Sequence, residues 1–327
     1  MFDKNYASTN TIIRIKEREF LTSDQWEQLL RTNDLEQALN TLKNTVYSHL
    51  TVDFEKGLQE SQIETYRNLS ELIDDEQVEN VFSLIYVYHN LKVLIKESVM
   101  NTSLSHLSVP IGAYSIEQLR HLVQTQESTA LPEVMVSQVK SVLDNYAHYE
   151  NVQSIDVMMD EAYFSHVLHA VDQLQDEKLI HLVRLWIDIF NVTTILRLSK
   201  GRLSRSQLTF IMNAGGHLDP YELIRFAMNG QIDDIVLMLS RVVDFSKSSK
   251  TLQQGDVTAS VVERLKDSVT HDYLQDAKYE AFGFLPVLAY VFYKEMEIKN
   301  LRLILTGKDN QMDTTLLRER MKPTYVV

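Results

Sequence analysis

A nine-residue element built around an asparagine occurs three times in the chain. The copies read Tyr88-His89-Asn90-Leu91-Lys92-Val93-Leu94-Ile95-Lys96, Ile189-Phe190-Asn191-Val192-Thr193-Thr194-Ile195-Leu196-Arg197 and Ile298-Lys299-Asn300-Leu301-Arg302-Leu303-Ile304-Leu305-Thr306. The anchor asparagines stand 101 and 109 positions apart. Spacing this even suggests triplication of one structural unit, and a repeat constrains architecture before any single residue constrains chemistry.

The residues between the copies favour helix. Only 9 Gly and 5 Pro occur in 327 residues, and each costs a helix interior dearly, Gly about 1 kcal/mol and Pro about 3. Val81, Leu84, Ile85 and Tyr88 recur at helical spacing ahead of Asn90, as do Leu182, Leu185, Trp186 and Ile189 ahead of Asn191. Phe282 to Met296 forms the third such stretch. Strand alternation is hard to find, so the expectation is an all-α protein.

Helix-start signals punctuate the same stretches. Thr22-Ser23-Asp24-Gln25 and Ser115-Ile116-Glu117-Gln118 have capping-box form, and Asp219-Pro220 combines an Asp cap with Pro at the first helical position. Leu223, Ile224 and Met228 then carry the expected apolar face of the third capped helix. Val109-Pro110-Ile111-Gly112 and Asn213-Ala214-Gly215-Gly216 read as connectors. They divide the chain into three helical repeats, 1–107, 108–212 and 213–327. The segment Ser8-Thr9-Asn10-Thr11-Ile12-Ile13-Arg14 resembles a fourth copy of the element, with Ser8 opposite Asn191 when Arg14 is aligned with Arg197. Four copies delimit three units, which suggests a funnel or toroid about a pseudo-three-fold axis.

Composition excludes several classes of function. Thirty-two basic against 45 acidic side chains leave a net charge of -13, which repels phosphate backbones, so no nucleic-acid partner is expected. There are no cysteines, hence no disulfide, thiol nucleophile or thiolate metal site. The opening residues Met1-Phe2-Asp3-Lys4-Asn5-Tyr6 lack the apolar core of a signal peptide, so the protein is expected to stay in the cytoplasm. The most apolar run, Phe282 to Tyr293, is well short of the ~20 residues of a membrane span.

No catalytic constellation emerges. His166 and His169 lie three apart on an expected helix, with Asp172 and Asp176 following, but metal-ligand spacing is lacking. His271-Asp272 is the dipeptide found in helical metal phosphohydrolases, without a frame for the remaining ligands. Gly215-Gly216 and Thr306-Gly307-Lys308 are too short to cradle phosphate, and no G-x-S-x-G elbow occurs. No catalytic residue, metal or cofactor is therefore expected. The basic residues Arg14, Lys92, Lys96, Arg197 and Arg302 are the candidate partner-binding positions. A blander role for the last four is to sit near helix ends, where cations meet carbonyls favourably.

Three stretches give the chain a specific resemblance. Tyr6-Ala7 with Arg14 and Phe20-Leu21, Asp188-Ile189-Phe190-Asn191 with Arg197, and Glu295-Met296-Glu297-Ile298-Lys299-Asn300-Leu301-Arg302-Leu303-Ile304-Leu305-Thr306-Gly307-Lys308 resemble the C subunits of bacterial and archaeal V/A-type rotary ATPases, relatives of the d subunit of the eukaryotic V-ATPase. The correspondence runs from about residue 5 to 320. Val87 departs from it where the other copies have Asp188 and Glu297, and Thr306 replaces the basic end of the third copy.

The resemblance implies a non-catalytic helical funnel that seats the central stalk, made of the D and F subunits, on the proteolipid ring of the membrane rotor. It would be a peripheral protein on the cytoplasmic face that transmits torque, with compliance expected at the connectors near Pro110-Ile111-Gly112 and Gly215-Gly216. Two other readings stay open from the residues alone, a generic helical scaffold or adaptor and a metal-dependent phosphohydrolase built on His271-Asp272. Period speaks against common solenoids, whose units run about 20 to 50 residues.

Overall fold

Local capping chemistry places the helix starts. In a computed structural model that describes residues 6–199, 204–243 and 258–325, the described residues form α-helices and short 3-10 turns with no strand. Residues 1–5, which carry most of the leader reading, lie outside them. The helices are α1 (Ala7–Lys16), α2 (Ser23–Arg31), α3 (Leu35–Thr41), α4 (Phe54–Ser70), α5 (Glu76–Met100), α6 (Ile116–Thr125), α7 (Glu133–Tyr149) and α8 (Val152–Leu174). They continue as α9 (Glu177–Leu198), α10 (Arg205–Ile211), α11 (Pro220–Met228), α12 (Ile232–Ser240), α13 (Ala259–Leu274), α14 (Leu285–Asp309) and α15 (Thr314–Arg320).

Both expected capping boxes form. The Thr22 and Ser115 hydroxyls accept from the N–H groups of Gln25 and Gln118, whose side chains accept in return from the cap N–H groups. Asp219 caps α11 through the N–H of Tyr221, with Pro220 at the first position. The apolar face of α11 differs by one residue from expectation. Leu223, Ile224 and Ala227 are buried, whereas Met228, the last helical residue beside the Asn229-Gly230 turn, is exposed. Ile85 of α5 is likewise exposed.

The chain divides into two compact units. One combines residues 6–74 with 274–325, so the two ends of the chain share a core. In it Leu29, Leu30, Leu42, Tyr47 and Leu58 pack with Ile298, Leu301 and Ile304 of α14. The other holds the described residues between 75 and 273, where α5 packs along α8, and α9 packs with α11, α12 and α13 around Val192, Ile195, Leu223, Ile235 and Val262.

One helix among the described residues, Glu177–Leu198, is long and apolar enough to cross a bilayer, with a mean hydropathy of 1.5 over its most apolar window. It is not the run singled out in the sequence. Sixty-seven per cent of that window is buried within the protein, along with the polar side chains of Asp188 and Asn191. A helix hydrophobic all round is what the centre of a large helical core requires.

Candidate functional site

The repeated asparagines all do the same thing. Asn90 Nδ2 donates to the Val109 carbonyl at 2.6 Å while its Oδ1 accepts from the Val109 N–H at 2.8 Å. Asn191 holds Asn213 in the same way at 2.8 and 2.9 Å, and Asn300 holds Lys322 at 3.1 and 2.7 Å. Each side-chain amide thus pairs with both polar groups of one backbone residue, 19 or 22 positions downstream. All three asparagines are fully buried, where an unpaired backbone amide would be costly. The amide is the one side-chain group carrying a donor and an acceptor in a peptide-like frame, which is why aspartate or leucine would not serve.

Three positions before each asparagine, the copies diverge. Asp188 accepts from the N–H groups of His217 and Leu218 and from His217 Nδ1, each at 3.0 Å. Burial pushes its carboxyl above the ordinary range against the pull of those donors. Glu297 accepts from the Leu21 N–H and the Tyr47 hydroxyl, both at 2.7 Å, and from Lys294 Nζ at 2.9 Å. Leu218 and Leu21 each precede a helix cap, Asp219 and Thr22. The acid therefore fixes the start of a capped helix in both copies, and in the second case that helix is supplied from the other end of the sequence. Val87 fills the same position without charge. A Cβ on Gly112 would stand 2.5 Å from Val87, and one on Gly216 would stand 2.1 Å from Asp188 Oδ1. Glycine in these connectors serves close approach to the helix, not only a turn.

Lys294 is buried with Glu297, its ammonium lying 5.5 Å from the Phe20 ring centre and 4.7 Å from that of Tyr47. Lys308, also buried, donates to the carbonyls of Leu30 and Thr32 at the end of α2, and burial lowers its pKa. Tyr325 stacks on Phe20 at 4.9 Å and lies edge-on to Tyr293. The contacts of Glu297 with Leu21 and of Lys308 with Leu30 follow no local sequence pattern, because they span some 270 positions.

The amino-terminal segment does not repeat the clasp. Asn10, not Ser8, is its buried polar residue, and it donates to the carbonyls of Ala281 and Gly283 while its own Oδ1 has no partner. Arg14 lies in the last turn of α1 and bonds Glu17 together with the carbonyls of Ala277 and Glu280.

Each of the other four basic candidates pairs with an acid of another helix. Lys92 and Lys96 of α5 reach Asp160 and Asp156 of α8. Arg197 of α9 reaches Glu263 of α13 at 2.6 Å, and Arg302 of α14 reaches Glu55 of α4 at 2.7 Å. Only Arg197 of these four sits in a last helical turn, so the helix-end role does not account for the others. The pairing follows an order in the sequence: each asparagine-bearing helix is tied to a helix that directly precedes another asparagine-bearing helix. Arg197 and Arg302 keep 56% and 39% of their side chains exposed, whereas Lys92 and Lys96 keep less.

The histidine candidates resolve differently. His166 is buried, with Nδ1 3.0 Å from the Tyr88 hydroxyl, and burial lowers its pKa. His271 lies at the end of α13 and is also lowered by burial. Among the described residues no three His, Asp or Glu side chains come together as metal ligands do.

Residues 9–320 match the family model described as the ATP synthase (C/AC39) subunit. The chain belongs to this family. Among C/AC39 relatives, the C subunit of the V-type sodium ATPase of Enterococcus hirae is 28% identical over 326 residues, covering 98% of this chain and 99% of its own. The C subunits of the A-type ATP synthases of Methanocaldococcus jannaschii and Thermococcus kodakarensis are 21% and 23% identical, covering 93% and 96% of this chain and 82% and 89% of theirs. As a C/AC39 protein, the chain is one component of a rotary ATPase that serves ion transport, and the other components of that complex are its partners.

Proposed function

We propose that this C/AC39 protein is the non-catalytic coupler of the central rotor, seating the D and F subunits of the central stalk on the proteolipid ring at the cytoplasmic face of the membrane. The observation that carries the proposal is the extent of the family match, 9–320, which leaves little of the chain for any other activity. A coupler has to transmit torque without yielding. Long helices clasped by buried side chains supply that stiffness, since closely packed interiors resist deformation.

The proposed architecture is a funnel of three helical repeats, 1–107, 108–212 and 213–327, about a pseudo-three-fold axis. Three observations support it: the asparagine clasp recurs once per repeat, the acidic residues before two of the clasps hold equivalent cap positions, and the inter-helix ion pairs follow a cyclic order in the sequence. Arg14, Lys92, Lys96, Arg197 and Arg302 are the proposed partner-facing set. Arg197 and Arg302 lead it by exposure; their internal acids hold them ready and can be exchanged for acids of a partner at small cost, because exposed ion pairs contribute at most about 1 kcal/mol.

Deleting the gene from a host and measuring ATP-driven ion uptake in its membrane vesicles tests the proposal. The expected result is loss of uptake, with the ATP-hydrolysing part released from the membrane and still active. Vesicles that pump at the parental rate without this chain would overturn it.

A further inference from the structure

The second clasp carries a device that the other two lack. Asp188, fully buried, accepts from Nδ1 of His217, and Nε2 of that same ring lies 2.8 Å from Nδ1 of His181, two turns earlier than Asp188 on α9. The two rings meet edge to face, 4.5 Å between centres. We propose that His181 and His217 form an acid-sensitive latch, holding the connector 213–218 onto α9 at neutral pH and releasing it in acid.

Counting hydrogens shows why acid should open it. Asp188 accepts, so His217 Nδ1 bears a hydrogen. The facing nitrogens, His217 Nε2 and His181 Nδ1, share one hydrogen between them, since a 2.8 Å approach needs one donor and one acceptor. With both rings neutral, His181 donates to His217 and its Nε2 lone pair is open. One added proton is accommodated on either ring, with Asp188 as counter-charge. A second leaves two N–H groups aimed at each other and two like charges in contact, so the rings must part.

Neighbouring groups set where this occurs. On α9, Arg184 opposes charge on His181, and Asp188 favours it; Glu177 and Lys178 line the same groove as His181, together with Tyr273 at the end of α13. Burial is the largest influence, followed by His217, and it holds the His181 pKa below its ordinary value. The folded ring then binds protons less readily than the released one. Stability of the latched connector is complete above the ordinary histidine value of about 6.5 and falls as pH drops through and below it.

The connector crosses α9 on two glycines, between the Asn191–Asn213 clasp and the Asp188–Leu218 bond. Gly215 has φ +94°, and Gly216 lies against Asp188 Oδ1, so the loop rests on the helix through the same residues that the histidines secure. The counterpart positions are a valine in the first copy and, in the third, a glutamate satisfied by Leu21, Tyr47 and Lys294. The compliance expected near Gly215-Gly216 is thereby tied to protonation at this joint.

Hydrogen exchange on the full chain at pH 7.5 and 5.0, corrected for the intrinsic pH dependence of exchange, reads the latch directly. The expected result is a rise of about tenfold or more in corrected exchange of the His217 and Leu218 amides at pH 5.0, against amides of α9 as reference. In His181→Gln, whose amide bonds His217 without titrating, that rise is absent. Equal protection at both pH values in the unaltered chain overturns the proposal, as does an undiminished rise in His181→Gln. Ring-carbon NMR of the unaltered chain adds a second readout independent of any variant. The His181 ring is expected to titrate below its ordinary value, and an unshifted His181 midpoint overturns the latch.

Discussion

Asn191 pairs its side-chain amide with the backbone of Asn213, donating to the carbonyl at 2.8 Å and accepting from the N–H at 2.9 Å. Replacing it by Ala removes both bonds and leaves two buried backbone groups without partners. Each such group costs about 1 to 3 kcal/mol. Asn191→Ala should therefore lose about 2 to 6 kcal/mol in denaturant unfolding. Asn191→Asp, which keeps the acceptor but puts an unpaired charge beside a carbonyl, should fare no better. Asn90→Ala and Asn300→Ala are expected to fall in the same range, and a loss under about 0.5 kcal/mol at any of the three would remove the clasp from the account of stability.

Gly216→Ala should be far more costly than a routine loop substitution, because its new Cβ would lie 2.1 Å from a fully buried carboxylate oxygen. Gly230→Ala provides the control. It meets nothing within 4 Å and suffers only from its φ of +71°, a penalty of about 1 to 2 kcal/mol. Thermal unfolding of the pair should rank Gly216→Ala well below Gly230→Ala, and the reverse order would refute the close approach.

Glu297→Ala strips the Leu21 N–H and the Tyr47 hydroxyl of their acceptor and orphans the buried ammonium of Lys294. Breaking one side of a buried pair costs about 3 to 5 kcal/mol, whereas an apolar replacement of both partners is often nearly neutral. The expected order in unfolding experiments is Glu297→Ala least stable, with Lys294→Met/Glu297→Leu recovering part of the loss. Equal stability of the single and double variants would show that the ion pair is not what holds α2 and α14 together.

Arg197→Ala and Arg302→Ala separate partner binding from folding. Their ion pairs with Glu263 and Glu55 are exposed, so each substitution should shift unfolding by less than about 1 kcal/mol. A role at the rotor predicts weakened co-purification with the stalk and ring proteins, reversed by neither Glu263→Ala nor Glu55→Ala. Unchanged assembly of both arginine variants would return these residues to internal pairing alone.

Four helices, α5 to α8, end on non-glycine residues in the left-handed region: Asn101, Gln126, Glu150 and Gln175, with φ between 49° and 59°. Glycine at such a position avoids a penalty of about 1 to 2 kcal/mol per residue but adds unfolded-state entropy. Glu150→Gly, at an exposed helix end, should raise unfolding stability by about 0.5 to 1 kcal/mol. A destabilised variant would mean that the backbone there differs from the left-handed form.

Much of the helical framework was legible because its signals are local. Thr22 with Gln25, Ser115 with Gln118 and Asp219 with Pro220 each satisfy groups within three residues, so adjacent sequence suffices to name them. The asparagines were legible as a repeat but not as clasps, since Val109, Asn213 and Lys322 are reached only after the chain has turned through a connector. Periodicity misjudged Ile85 and Met228 for a related reason: it finds the faces of a helix but not where the helix runs out of neighbours.

What the sequence by itself determined is the helical class, the threefold recurrence and the family, all of which rest on pattern and short-range chemistry. Only tertiary structure decided which groups those residues satisfy. Glu297 could meet Leu21, Lys308 the end of α2, and His181 its partner His217 only once distant segments shared a core, because a buried polar group takes whichever complementary partner packing brings within about 3 Å.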